Sequence, residues 1–290
     1  MELWLLYAVG AAIFAAMTTI FAKIGIKDVN SHLATAIRTM VVLVFAWLMV
    51  FIVGSQAEIL QLSGRTWLFL ILSGLATGAS WLCFFRALQR GRVNKVVPID
   101  KSSTILTMTL AFIFLGEPLG LFTVIGMILM GIGTWLMIGR VSRQAIPHNT
   151  NKDWLLYAIL AAVFASLVAI IGRIGVVDMD ATLWTAIRTV VVVPMSWLMV
   201  YLSGSQMTIK TVSRKSWLFL ILSGVATGGS WLFFYHALQQ GNAAHVVPID
   251  RMSVLFTMAF AWLFLKEKFS RRSLIGLALL TAGTALSVFI

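Results

Sequence analysis

Apolar residues in this chain fall into long unbroken runs separated by short polar segments. Five runs cover about 3–22, 32–53, 67–88, 96–115 and 119–138, and five more cover about 154–172, 182–203, 217–238, 246–265 and 272–290. Each is close to the ~20 residues that carry an α-helix across a bilayer core. An open sheet is excluded because hydrocarbon cannot satisfy free strand edges, and the alternation of a membrane barrel is missing. The pattern predicts an all-α polytopic membrane protein with ten transmembrane helices.

The runs form two series. Displacing the sequence by 150 positions lays it on itself without gaps: Trp4 on Trp154, Arg38 on Arg188, Trp81 on Trp231, Pro98 on Pro248, Asp100 on Asp250, Glu117 on Glu267. Roughly half of the aligned positions are identical, far beyond what shared hydrophobicity produces. Two five-helix repeats are therefore expected, 1–138 and 154–290, joined by a polar linker, 139–153. An odd number of crossings sends the second repeat through the membrane upside down.

Composition agrees: 60% of residues are hydrophobic and 11% charged, against about a quarter charged in soluble domains. The net charge of +12 would suggest a nucleic-acid partner in a soluble protein. Here the cations occupy short segments between runs, so no nucleic acid is expected. The first repeat collects Lys23, Lys27, Arg90, Arg92, Lys95, Arg140 and Arg143 in alternate loops, and the second places Lys210, Arg214, Lys215, Lys266, Lys268, Arg271 and Arg272 in the others. With ten crossings both sets reach one face. The positive-inside rule makes that face cytoplasmic, with the linker inside and both termini outside. The single cysteine, Cys83, excludes an internal disulfide, and the first run reads as a retained span.

The stretches "FIFLGEPLGLFTVIGMILMGIGTWLM" (112–137) and "WLFLKEKFSRRSLIGLALLTAGTALS" (262–287) resemble the close of a repeat in the EamA family of the drug/metabolite transporter (DMT) superfamily. "SGLATGASWLCFFRALQRG" and "SGVATGGSWLFFYHALQQG" resemble its third helix. The resemblance covers nearly the whole chain, once per half, as if two half-size units were fused in tandem. It implies a secondary transporter or facilitator of small metabolites that works by alternating access, in a prokaryotic plasma (inner) membrane. The family's usual orientation has both termini in the cytoplasm, opposite to the charge count.

Several polar groups lie inside the spans. Arg38 and Asp100 enter the same leaflet at similar depth, and Arg188 and Asp250 repeat them in the other, so two Arg–Asp pairs are expected to join helices or act as gates. Pro98 and Asp100 fit the first turn of the fourth helix, with Lys101 and Arg251 snorkelling to the interface. Glu117 and Glu267 suit caps of the helices that follow them. In the third runs, Ser80, Trp81, Phe84, Arg86 and their counterparts Ser230, Trp231, Phe234, Tyr235 and His236 are the candidate cavity lining. Packing against lipid or core explains the aromatics equally. Arg86 opposite His236 would favour a carboxylate on one side.

No metal-ligand spacing, phosphate loop or hydrolase motif occurs. "HVVPID" has the His-x4-Asp spacing of some acyltransferases, but Lys95 stands where His245 does in the other copy. A non-enzymatic monomer without cofactors is expected, using the lipid bilayer, a small-molecule substrate and protons as candidate coupling ion. The absence of an acidic residue in runs one and six disfavours a multidrug cation exporter and favours neutral, zwitterionic or amino-acid-like solutes. A non-transporting scaffold, or an engineered fusion of half-transporters, is the rival reading.

Overall fold

The computed structural model describes residues 3–139, 153–175, 179–240, 246 and 249–289. The helices are α1 (Leu3–Gly25), α2 (Ser31–Val53), α3 (Gly64–Arg90), α4 (Val93–Lys101), α5 (Ser103–Leu115) and α6 (Leu121–Ile138) in the first repeat. The second repeat has α7 (Asp153–Gly175), α8 (Ala181–Leu202), α9 (Arg214–Gln240), α10 (Ser253–Leu265) and α11 (Arg271–Phe289). Short 3-10 segments, Ser55–Gln61 and Ser205–Thr211, follow α2 and α8. Among the described residues, eight segments are long and apolar enough to cross a membrane, α4 and α5 counting together as Val93–Leu115. α10 and α11 occupy the ninth and tenth runs. Most of the linker, with His245 and Pro248, lies outside the described residues.

The two repeats pack by exchanging equivalent partners. α1 lies against α9 as α3 lies against α7, while α2 meets α8 and α6 meets α11. Small residues permit the approach: Ala8, Ala11, Ala12 and Ala16 on α1 are fully buried, as are Ala158 and Ala161 on α7. At the α6–α11 contact the backbones touch. A Cβ on Gly133 would sit 2.6 Å from the Gly276 carbonyl oxygen, and one on Gly276 would meet the Gly133 carbonyl at the same distance. Large apolar side chains such as Phe51, Phe114, Trp135 and Phe264 point outward, where lipid is their solvent.

Contacts between loops test the inversion. Glu267 accepts from the backbone N–H groups of Val93 and Asn94 at 2.9 and 3.0 Å, and Arg90 pairs with Asp153 at 2.8 Å. Lys23 donates to the carbonyls of Leu88 and Gly91. All these groups belong to the face that collects cations. Glu117 pairs with Arg173, the Asp180 N–H donates to Glu58, and Ser55 bonds Thr182, all on the other face. Every one of these contacts joins loops that five crossings per repeat place together.

The expected caps need correction. Glu267 caps α4 of the opposite repeat, where a carboxylate meets free N–H groups at a helix start. The helix after it is capped by Ser270, which accepts from the Ser273 N–H. Glu117 forms an ion pair instead.

The turns after the fourth runs show charge placement overriding backbone preference. Gly116 ends α5 at φ 66°, and its counterpart Lys266 ends α10 at φ 52°, the one positive-φ residue other than glycine among the described residues. A left-handed lysine costs about 1 kcal/mol, and this one adds to the cationic face. Lys266→Gly should relieve the strain and raise the melting temperature of the detergent-solubilised protein by about 2 °C, measured by intrinsic fluorescence. An unchanged or lower value would show that the turn carries no such cost.

Candidate functional site

The fourth spans are broken in the middle. α4 ends at Lys101 and α5 begins at Ser103, with Ser102 between them at φ −67° and ψ −9°. The Ser102 N–H reaches the carbonyls of Pro98 and Ile99, the Ile105 N–H reaches Ser102, and the Ser102 hydroxyl donates to Ile99 at 2.6 Å. Hydrogen bonding thus tightens from the α to the 3-10 pattern at the joint, just after a proline that supplies no donor. Met252 repeats the break before α10, at φ −69° and ψ −2°. Pro98 and Asp100 therefore lie in the second half of α4, not in a first turn. Irregular backbone at this depth is tolerated where it lines a cavity.

That cavity lies between the repeats and measures about 360 Å3. Ser80, Trp81 and Phe84 line it from α3, and Ser230 and Trp231 line it from α9. Arg38, Asp100 and Arg188 also face it. The remaining predicted lining does not. Arg86 is turned toward Ser31 and Gln89, both at 3.3 Å, and Phe234 packs in a cluster with Trp4 and Tyr7. The Tyr235 hydroxyl reaches Thr185 and the Ala181 carbonyl, and His236 holds the Leu232 carbonyl at 3.0 Å beside the ring of Tyr7. The expected Arg86–His236 asymmetry thus lies outside the cavity.

Two serines tie each third helix to the first helix of the other repeat. Ser80 donates to the Ala161 carbonyl of α7 at 3.0 Å, and Ser230 donates to the Ala11 carbonyl of α1 at 2.9 Å. Each bond satisfies a buried hydroxyl and fixes the tryptophan beside it at the cavity wall.

The expected Arg–Asp pairs do not form. Among the described residues the ion pairs are Arg90–Asp153 and Arg173–Glu117. Arg38 is 2% exposed and turns instead to α9 of the other repeat, where Nη2 donates to Thr227 at 2.6 Å and Nε to Ser223 at 3.3 Å. Its guanidinium also lies over the rings of Phe85 and Trp81, 4.5 and 5.3 Å from their centroids. Asp100 forms no ion pair among the described residues. Asp250 has no ion-pair partner among the described residues.

Close helix approach puts the arginines there. A Cβ on Gly224 would fall 2.7 Å from the Val41 Cβ and 3.1 Å from the Arg38 carbonyl, and one on Gly74 would meet Val191 and the Arg188 carbonyl at 2.6 and 3.0 Å. The equivalent cradle for Arg188 would be Ser73 and Thr77. Arg188 does not occupy it: the guanidinium lies 4.8 Å above Trp184, and the buried Ser73 Oγ has no partner. Lys101 and Arg251 do not snorkel but cross between repeats, to Ser253 at 3.3 Å and Thr104 at 3.1 Å.

Sequence reasoning missed the Ser223–Thr227 cradle and the cavity-lining Thr18, Thr19, Lys101, Ser253 and Thr257. The cradle has a signal, since Ser223, Thr227 and Ser230 recur at i, i+4 and i+7 on one face of an apolar helix.

The EamA-like transporter family model matches this architecture twice, over residues 2–139 and 152–289. The chain belongs to that family. An uncharacterized transporter from the cobO 3′ region of a Sinorhizobium species is 44% identical over 134 residues, which is 46% of this chain and 95% of that protein. The relative is thus one repeat long. An uncharacterized transporter of Archaeoglobus fulgidus is 24% identical over 274 residues, covering 94% of this chain and 93% of its own. A crystal structure superimposes with a TM-score of 0.68 at 17% identity over 98% of this chain and 96% of its own, a likeness of fold. This EamA protein is accordingly an integral membrane transporter.

Removing the Arg38 acceptor should cost more than the equivalent change in the vacant cradle. Thr227→Val should lose about 1–3 kcal/mol of stability, the penalty of stripping a buried charged donor. Thr77→Val, which takes no bond from Arg188, should lose about half as much or less. Thermal unfolding of the two variants in detergent compares them, and equal losses would contradict the unequal docking.

Proposed function

We propose that this EamA protein is a secondary transporter or facilitator, moving a small metabolite through the central cavity by alternating access of its two inverted repeats. The cavity carries this reading. Its volume is at the lower end of the range for small-molecule sites, and its two tryptophans together with hydroxyl and charged groups suit an amphipathic solute. A membrane scaffold would be served by a packed centre, so the cavity favours transport over that rival.

The unequal arginines support alternation. One repeat holds its arginine in the opposite cradle while the other cradle is empty. Exchanging the two arrangements would open the cavity to the other side. In this reading Asp100 is the coupling group, and the working unit is a single chain. In this reading the membrane is a prokaryotic plasma membrane, and the charge count favours a cytoplasmic linker with both termini outside; a C-terminal reporter active only in the cytoplasm would reverse that orientation.

Ala15 and Ala165 are equivalent positions that both face the cavity. In a chain freed of Cys83, Ala15→Cys and Ala165→Cys should react with an impermeant maleimide added to opposite sides of proteoliposomes. A saturating substrate should change the two rates in opposite senses by several-fold. Fixed access from one side only would remove alternating access. Asp100→Asn should abolish any dependence of uptake on a pH gradient, and undiminished dependence would exclude Asp100 from coupling.

A further inference from the structure

The cavity is unbalanced in charge. Arg38, Arg188 and Lys101 face it with one carboxylate, Asp100. Neither guanidinium forms an ion pair with that carboxylate or with any other among the described residues. Arg38 has hydroxyl acceptors and lies over two rings. Arg188 has less: it makes no hydrogen bond to the protein among the described residues and rests on the Trp184 ring. Guanidinium is a planar fork of donors that matches a carboxylate edge to edge. A positive guanidinium at mid-membrane depth is costly until an anion or water supplies acceptors.

On the transporter reading above, we propose that the cargo of this cavity is an organic acid of net negative charge, its carboxylate held by Arg188 with Arg38 adding field and its apolar body between Trp81 and Trp231. A zwitterion would bring no net charge and leave the imbalance as it was. A cation would add to it. This departs from the sequence-based expectation of neutral, zwitterionic or amino-acid-like solutes. The Thr19 hydroxyl, which makes no hydrogen bond to the protein among the described residues, is available to fix the cargo's orientation.

The test uses four solutes with one aromatic skeleton: phenylacetate, phenylacetamide, phenethylamine and phenylalanine. Binding to the purified full chain is measured by calorimetry, and counterflow is measured in proteoliposomes. Phenylacetate should bind at least tenfold more tightly than the amide or the amine. Arg188→Gln should bring it down to the level of the amide, Arg188→Lys should retain an intermediate preference, and both variants should keep the parent's melting temperature within a few degrees. Preference for the amide, the amine or the zwitterion, binding of none of the four at millimolar concentration, or acid binding untouched in Arg188→Gln would overturn the proposal. Counterflow separates it from the broader reading. Transport of the amine or amide in preference to the acid sinks the acid assignment and leaves the transporter, whereas acid binding without counterflow of any solute leaves the anion site and sinks transport.

Discussion

A guanidinium cannot be left unattended in the middle of a membrane, and much of this structure follows from having two of them there. Each arginine costs about 2.5–3.5 kcal/mol at a helix centre on insertion scales. Its donors therefore need acceptors from protein, water or ligand. For Arg38 the acceptors are hydroxyls on the other repeat, which requires α2 and α9 to come almost to backbone contact. The bare face at Gly224 permits that approach. The arginine thus ties the repeats together at the depth where the cavity opens. A carboxylate partner on its own repeat would have left that interface without its central polar bond.

The second constraint is that one folding unit serves both sides of the membrane. Helix-packing residues have no reason to differ between copies, and they mostly do not: Ser80 and Ser230 make the same bond to equivalent alanine carbonyls of the facing repeat. Loop residues must differ, because equivalent loops lie on opposite faces. The exchange of Gly116 for Lys266 shows topology taking precedence over local backbone energy, since a cation is kept at a position where glycine fits better. Glu267, kept in both copies as Glu117, finds unlike partners: a helix start in one case and an arginine in the other.

These two constraints explain what could be read from the residues. Hydrophobic runs and the displacement of 150 positions are properties of the whole chain, so the helices, the repeats and the inversion were all legible. So were Ser80, Trp81, Ser230 and Trp231 at the cavity, because polar residues beside aromatics on a small-residue helix face have few other places to go. The Arg38–Asp100 pair was misjudged for a definite reason. Depth along a helix says how far in a group lies but not its azimuth, and at equal depth the nearer acceptors were on the opposite repeat. Arg86 and His236 were misplaced similarly: their position near the end of a 27-residue helix puts them among the loops rather than at the centre. The break after Asp100 was hidden because one proline is compatible with a helix start as well as with a mid-span joint.

The arginines are the same residue in near-identical sequence, so their unequal docking needs a cause. The cradles do not supply one, being serine and threonine in both copies. The surroundings do. Where the first repeat has Ala34, the second has Trp184, and where it has Ala22, the second has Gly172. The two changes are coupled, since a Cβ on Gly172 would lie 2.6 Å from the Trp184 ring. Glycine makes room for a tryptophan, and the tryptophan offers Arg188 a face to rest on that Arg38 lacks in its own repeat at that position. A cation–π contact of this kind contributes about 0.5–2 kcal/mol. If the two arrangements exchange as proposed, a contact of that size would shift the balance between them by about two- to thirty-fold. On the alternating-access reading proposed above, a perfectly symmetric duplication would leave the two access states equal in energy, and this pair of substitutions would give the molecule a preferred resting side.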